Sequence, residues 1–211
     1  MELLLIRHAE NDYTRTGKLA GQLPGVHLNE KGREQAQALA ARLSKAPVKA
    51  IYSSPLERAL ETAGPLAKAL KLDVRTCDGV CEIDYGAWSG RSLKQLARTK
   101  LWADVQRRPS RMQFPEGETF LAAQARAVQA VEQLARAHPK DLVAAFTHAD
   151  VIKLVVAHYL GQPLDLFQRL VINTASITAL HLGQGQPALV KLNDTGQLTS
   201  SGHPAKSAQE M

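Results

Sequence analysis

Aromatic residues make up only 5% of this 211-residue chain: two tryptophans, four tyrosines and four phenylalanines. Sequence-tolerant nucleic-acid binding relies on aromatic rings set among basic side chains, and no Lys/Arg cluster here alternates with aromatics. The net charge of +6 and pI near 9.4 could serve nucleic acid, but without such a cluster no nucleic-acid partner is expected. Arginines serving a small anionic substrate would account for part of the excess, and solvated surface for the rest. Cysteine is equally scarce, with Cys77 and Cys81 in C-x₃-C spacing. No second cysteine pair or nearby histidine completes a zinc set, so no metal is expected. Reduced thiols are expected rather than a disulfide. No apolar run reaches membrane-spanning length. The first residues show no basic n-region, no long apolar stretch and no small-residue cleavage site. The expectation is a cytoplasmic protein with no membrane partner.

What is present reads as alternating strands and helices. Strand candidates are residues 3–6, 50–53, 73–76, 142–147, 176–182 and 188–192. Asn29 is placed to cap a helix with Ala36, Leu39, Ala40 and Leu43 at i, i+3, i+4, i+7. Ser54-Pro55-Leu56-Glu57 has a capping-box pattern, and the helix it opens carries Ala59, Ala63, Leu66, Ala67 and Leu70. An Ala-rich helix covers about 120–137, and Asp150 is placed to open another through Val151, Leu154, Val155 and His158. Such alternation predicts a three-layer α/β/α domain with a mostly parallel sheet of about six strands. The short Gly183-Gln184-Gly185-Gln186-Pro187 link makes one edge antiparallel. One domain is expected over 1–194, with an irregular excursion at about 84–117 and a flexible tail over 195–211.

The chemistry-bearing residues sit at strand ends, where open α/β sheets bind ligands. Leu3-Leu4-Leu5-Ile6 runs directly into Arg7-His8-Ala9-Glu10. An Arg fork suits phosphate oxygens, and a neutral imidazole can attack phosphorus. Arg58 falls in the first turn of the second helix, at the wrong end for the helix dipole, and therefore suits an anion there. Its alternative is a solvated side chain or a pair with Glu57 or Glu61. His148 follows a second strand in the same way as His8. Ester cleavage also needs a proton for the leaving oxygen, and Glu82 and Asp84 are the nearest carboxyls to supply it.

These blocks resemble, in order, the histidine phosphatase superfamily with its phosphoglycerate mutase-like fold. They are Arg7-His8-Ala9-Glu10, the stretch from Ser53 to Ala63, Glu82 to Gly90, Gly117-Glu118-Thr119 and Thr147-His148-Ala149-Asp150. A bacterial phosphomutase/phosphatase subgroup is matched through Leu101-Trp102-Ala103-Asp104-Val105-Gln106, Phe114-Pro115-Glu116-Gly117-Glu118 and Phe167-Gln168-Arg169. The resemblance implies His8 as nucleophile, with Arg7, Arg58 and His148 clamping the phosphoryl oxygens. It implies Glu82 as proton donor, then base, and substrate contacts from Thr14, Gly21 and the Ala149 amide. It implies no cofactor and no metal. The chain departs from the family pattern at Ala9 and Ala149, where Gly is usual, and at Asn11 and Thr14, where Thr and Asn are usual.

The expected function is metal-independent hydrolysis of a small phosphorylated metabolite through a phosphohistidine on His8. The alternative is a cofactor-dependent phosphoglycerate mutase or other phosphomutase. A non-catalytic binding relative is disfavoured because His8, Arg7, Arg58 and His148 are all present. Mutases of this fold carry an Arg-Arg segment followed by a proline run, of which Arg107-Arg108-Pro109 is a faint echo. Loops on a rigid scaffold commonly carry specificity, so 84–117 is expected to wall the pocket, with Arg107, Arg108 and Arg111 offered to a second anionic group. Trp88 is read as an anchor of the excursion to the sheet, a role also open to Trp102. The sequence leaves the oligomeric state open, with a dimer allowed.

Overall fold

A computed structural model of the chain describes residues 1–183 and 185–196. In order, it contains β1 (Glu2–Arg7), α1 (Asp12–Arg15), α2 (Glu30–Leu43), β2 (Val48–Ser53), α3 (Glu57–Leu70) and β3 (Val74–Thr76). Then come α4 (Leu93–Leu96), α5 (Trp102–Arg107), α6 (Phe120–Ala137), β4 (Leu142–Thr147), α7 (Ala149–Tyr159), β5 (Ile177–His181) and β6 (Ala188–Asp194). The six strands form one sheet in the order β3-β2-β4-β1-β5-β6. β1, β2, β3 and β4 run parallel, and β5 alone is reversed against β1 and β6. The tail expected from residue 195 lies outside the described residues from Gln197 onward.

The sheet forms where the sequence is apolar on both strand faces. β4 shows this best. Val143 and Ala145 pack with Leu3 and Leu5 of β1 against Val131, Ile152, Val155 and Val156 of α6 and α7. Ala144 and Phe146 point the other way, with Ile6 and Ile51, against Leu39, Ala40, Ala63 and Leu66 of α2 and α3. A strand buried on both faces must be continuously apolar, which is why 142–147 lacks polar alternation until Thr147. The helices follow the expected faces, with caps at Asn29 for α2 and Thr119 for α6.

Two local expectations are corrected. α3 starts at Glu57 with Leu56 as an uncapped N-cap, not at a Ser54 capping box. The Ser54 hydroxyl is taken up instead by the His148 ring at 2.8 Å. α7 is entered from His148, with Asp150 inside its first turn. The helices α1, α4 and α5 have no counterpart in the sequence prediction, being too short to show a period.

The excursion has a small apolar core of its own. Ile83, Tyr85, Trp88, Leu96, Val105, Met112 and Phe114 pack on Phe120, Leu154 and Phe167. Trp88 stacks on Trp102 at 6.2 Å, consistent with an anchoring role for both rings. Its two ends are laced by Ala87 N–H to Pro115 O and Glu118 N–H to Asp84 O, both 2.9 Å. A glycine is required at 86: φ is +50°, and a Cβ there would stand 2.1 Å from Pro115 O. Arg107, Arg108 and Arg111 are exposed, and Arg108 pairs with Asp104 at 2.6 Å.

Leu66 is fully buried between α3 and the sheet. Leu66→Ala should lower unfolding stability by about 2–5 kcal/mol through the cavity it leaves. A denaturant titration should show a lower midpoint with an unchanged m-value.

Candidate active site

The β1–β4 register sets the site. Arg7 lies opposite Thr147, so the next residues, His8 and His148, emerge side by side at the carboxyl rim. The His8 amide donates to Thr147 O at 2.8 Å, and the ring centroids are 5.2 Å apart. The chain leaves β1 toward α2 on one face of the sheet and leaves β4 toward α7 on the other. The two histidines therefore stand in the crevice where open α/β sheets bind ligands.

His8 is 3% exposed. Its Nδ1 lies 2.8 Å from Ala9 O. A carbonyl only accepts, so Nδ1 carries the proton and Nε2 keeps its lone pair. Burial, then Arg58 and Arg7, hold the His8 pKa well below its ordinary value, so the ring is neutral at pH 7. It is therefore a free base next to two cations.

Arg58 is 1% exposed although it lies in the first turn of α3. One nitrogen is used: Nη2 donates to Gly21 O at 2.7 Å and to His148 Nδ1 at 3.3 Å. Arg58 Nε and Nη1 are buried with no hydrogen-bond partner, as is Arg7 Nε, while Arg7 Nη1 donates to Ile172 O at 2.6 Å. Buried donors left unmade cost about 1–3 kcal/mol each, more when charged. Such guanidinium groups fit an anion as their missing partner. Gly21 sits in this arrangement as the carbonyl that steers Arg58.

Because Arg58 donates to His148 Nδ1, the proton of that ring is on Nε2, which donates to Ser54 Oγ. Burial, then Arg58, keeps His148 neutral. Its Nδ1 stands 3.7 Å from Glu82 Oε2. Glu82 lies on the connection after β3, and its Oε1 accepts from the Ile83 amide at 3.0 Å. Burial, followed by the Asp150 charge, raises the Glu82 pKa to about 7. Asp150 itself stays below its ordinary range. Burial pushes it up, but the Lys153 ammonium at 3.0 Å and the Tyr85 hydroxyl at 2.9 Å outweigh that.

Of the two carboxyls left open by the sequence, only Glu82 stands against the histidines and arginines. Asp84 instead accepts from the Gly86 amide at 2.9 Å, as a turn residue. Ala149 begins α7, whose first amides lack intrahelical partners. Thr14 lies at the edge of this region with its hydroxyl occupied: it accepts from Asn11 N–H at 3.0 Å and donates to Asn11 O at 2.8 Å. Asn11 was not a candidate from the sequence, yet its Nδ2 is buried and unpartnered. The exchange of Thr and Asn between positions 11 and 14 was the only signal for it. No described hydrogen bond or ion pair joins Arg107, Arg108 or Arg111 to these residues.

The model of the histidine phosphatase superfamily (branch 1) matches residues 3–195. The chain belongs to that superfamily. Phosphoserine phosphatase 1 of Hydrogenobacter thermophilus is 31% identical over 94% of each chain. A 2,3-bisphosphoglycerate-dependent phosphoglycerate mutase of Thermoplasma acidophilum is 29% identical over 87% of this chain and 88% of its own. Among solved structures, Bacillus stearothermophilus YhfR superposes with a TM-score of 0.86 at 27% identity, over 92% of this chain and 96% of that one. The enzyme is a histidine-type phosphatase, a phosphoric monoester hydrolase.

If the orphaned guanidinium donors want an anion, inorganic phosphate or vanadate should stabilise the fold by about 2.7 kcal/mol at a hundred times its Kd. Differential scanning fluorimetry should show the Tm rise in the wild type and its loss in Arg58→Met.

Proposed function

We propose that this phosphatase works through a phosphohistidine on His8, with Glu82 as the acid, on a small phosphorylated metabolite. The observation that carries this is the tautomer of His8. Its Nδ1 proton is held by Ala9 O, so Nε2 presents a lone pair in a buried pocket beside unsatisfied guanidinium groups. Nε2 attacks phosphorus while the ester oxygen leaves with the Glu82 proton. Arg7 and Arg58 take up the charge on the phosphoryl oxygens, and the Ala149 amide adds a donor at the α7 terminus. In the second half a water attacks the phosphohistidine, giving its proton to the Glu82 carboxylate as the N–P bond breaks. Phosphate leaves, and neutral His8 and protonated Glu82 are restored. His148 stays neutral, held by Ser54 and Arg58, and adds a polar wall without another positive charge.

Hydrolysis is favoured over mutase action. The arginines that echo a mutase carboxylate site, Arg107 and Arg108, are exposed, and Arg108 is paired with Asp104. The names of the relatives point to phosphorylated small acids, with phosphoserine and 3-phosphoglycerate the first to assay. Cys77 and Cys81 are unpaired and half-buried. No helix among the described residues is long and apolar enough to cross a membrane.

Rapid quench with labelled substrate should trap an acid-labile, base-stable phosphoryl enzyme in the wild type and none in His8→Ala. The same label in both would overturn the assignment.

The donor form of Glu82 is the protonated one, so its fraction falls as pH rises through about 7. For esters with poor leaving groups, kcat/KM should therefore decline on the alkaline side of that value. In kcat, which reports the substrate-bound enzyme, the limb lies higher, because the bound phosphate dianion disfavours the carboxylate. Glu82→Gln should remove the limb and lower the rate, by about 10²–10⁴-fold for a general acid. An unchanged limb in Glu82→Gln would assign it to another group.

A further inference from the structure

The Gly117-Glu118-Thr119 block has no part in the chemistry described above, yet Glu118 holds an arginine that reaches the acid. Arg126 projects from α6. Its Nε donates to Glu118 Oε2 at 3.0 Å and its Nη2 to Glu118 Oε1 at 2.6 Å, a side-on bidentate pair. Nη2 also donates to Glu82 O at 3.0 Å. Nη1 donates to Gly79 O at 3.0 Å and to Cys81 O at 2.8 Å. A guanidinium has five N–H bonds in a fixed plane, and these five contacts use them all.

We propose that Arg126, oriented by Glu118, is the positioning residue for the Glu82 carboxyl. The segment it grips is the connection after β3, which has no ladder of its own to hold it. Three of its carbonyls, at 79, 81 and 82, converge on one planar cation, and Gln22 Nε2 adds a second donor to Glu82 O at 2.7 Å. With the backbone fixed on both sides, the Glu82 side chain has only its own torsions left, and the Ile83 amide restrains those. Gly79 makes the approach to α6 possible: a Cβ there would lie 2.5 Å from Ala130 Cβ. Glu118 also accepts from the Asp84 amide through Oε1 at 2.9 Å. The same carboxylate thus closes the base of the 84–117 excursion and aims the arginine. A lysine cannot replace this fork, since an ammonium has three donors and no plane.

This rests on Glu82 being the acid, and the test separates the two. The wild type, Glu82→Gln, Arg126→Lys and Glu118→Gln are assayed on phenyl phosphate and 4-nitrophenyl phosphate, with folding checked by circular dichroism and Tm. Arg126→Lys keeps the charge and loses the geometry. A displacement of about 1 Å is worth about 10²-fold in rate, so Arg126→Lys and Glu118→Gln should lose about 10–100-fold in kcat/KM on phenyl phosphate. On 4-nitrophenyl phosphate, whose leaving group needs no proton, the loss should stay under about threefold. Glu82→Gln should show the same selectivity in stronger form. Equal losses on both esters in Arg126→Lys and Glu118→Gln, with Glu82→Gln still selective, would leave Arg126 a general structural clamp and overturn the proposal. Equal losses in Glu82→Gln itself would remove the acid assignment instead. If Arg126→Lys does not fold, Glu118→Gln decides alone, because it keeps the guanidinium and the Asp84 acceptor while removing the bidentate aim.

Discussion

The buried guanidinium of Arg58 and the half-buried one of Arg7, each with a buried nitrogen that has no hydrogen-bond partner, are the constraint to which the rest of the site answers. A desolvated cation raises the cost of any further positive charge nearby, so His8 and His148 are both held neutral. Neutrality gives His8 its lone pair. It also lets His148 pack against His8 without repulsion. Glu82 shares the burial, but it is further pushed toward its protonated form by Asp150. One site thus contains an uncharged base, a carboxyl whose pKa is raised to about 7 and fixed cations. That combination is suited to a dianionic ester, whose charge compensates the arginines and whose oxygen takes the proton.

Holding this arrangement falls to the packing. Arg58 is carried by α3, which is fixed on the sheet by Ala63 and Leu66 against Ile51 and Phe146. The Thr62 hydroxyl, one turn on, donates to Arg58 O at 2.6 Å and accepts from the Ala9 amide at 2.9 Å. The arginine and the loop after His8 are therefore coupled through a single buried hydroxyl. β1 and β4 are central and apolar on both faces, so the two histidines sit on the stiffest part of the sheet. Preorganisation of this kind means that little needs to move when charge develops on the phosphoryl oxygens.

Much of this was legible in the residues because it follows from periodicity and strand-end logic. The apolar runs at 3–6 and 142–147 had to be central strands, and residues that follow such strands arrive at one rim. The convergence of Arg7, His8 and His148 needs little more than that. Arg58 was legible as an anomaly, a cation at the positive end of a helix. What was not legible depends on side chains meeting across long sequence separations. Ser54 resembled a helix cap because the local pattern is a capping box, but His148, far along the chain, claims its hydroxyl. The excursion shows no helical period, so its core around Trp88 and Phe114 was readable only as irregular chain with aromatic anchors. Its arginines offered charge without place, and charge alone does not locate a substrate.

Glu82 differs from the other groups in its support. His8, Arg58 and His148 stand at or beside strand ends and a helix start, so regular hydrogen-bond ladders fix them. Glu82 stands on irregular chain, buried, with a raised pKa that makes its protonation sensitive to small shifts toward Asp150 or Arg58. Irregular backbone that must stay buried needs its carbonyls satisfied by side chains. Arg126 satisfies three of them at once, so the solution to a backbone problem also fixes the main chain that carries the Glu82 carboxyl. Because Glu118 accepts from both Arg126 and the Asp84 amide, the base of the excursion and the segment that carries Glu82 are mechanically one unit. Sequence changes in the excursion act on a body whose root is tied to the Glu82 segment, and that segment stays in register only while the Glu118–Arg126 pair remains.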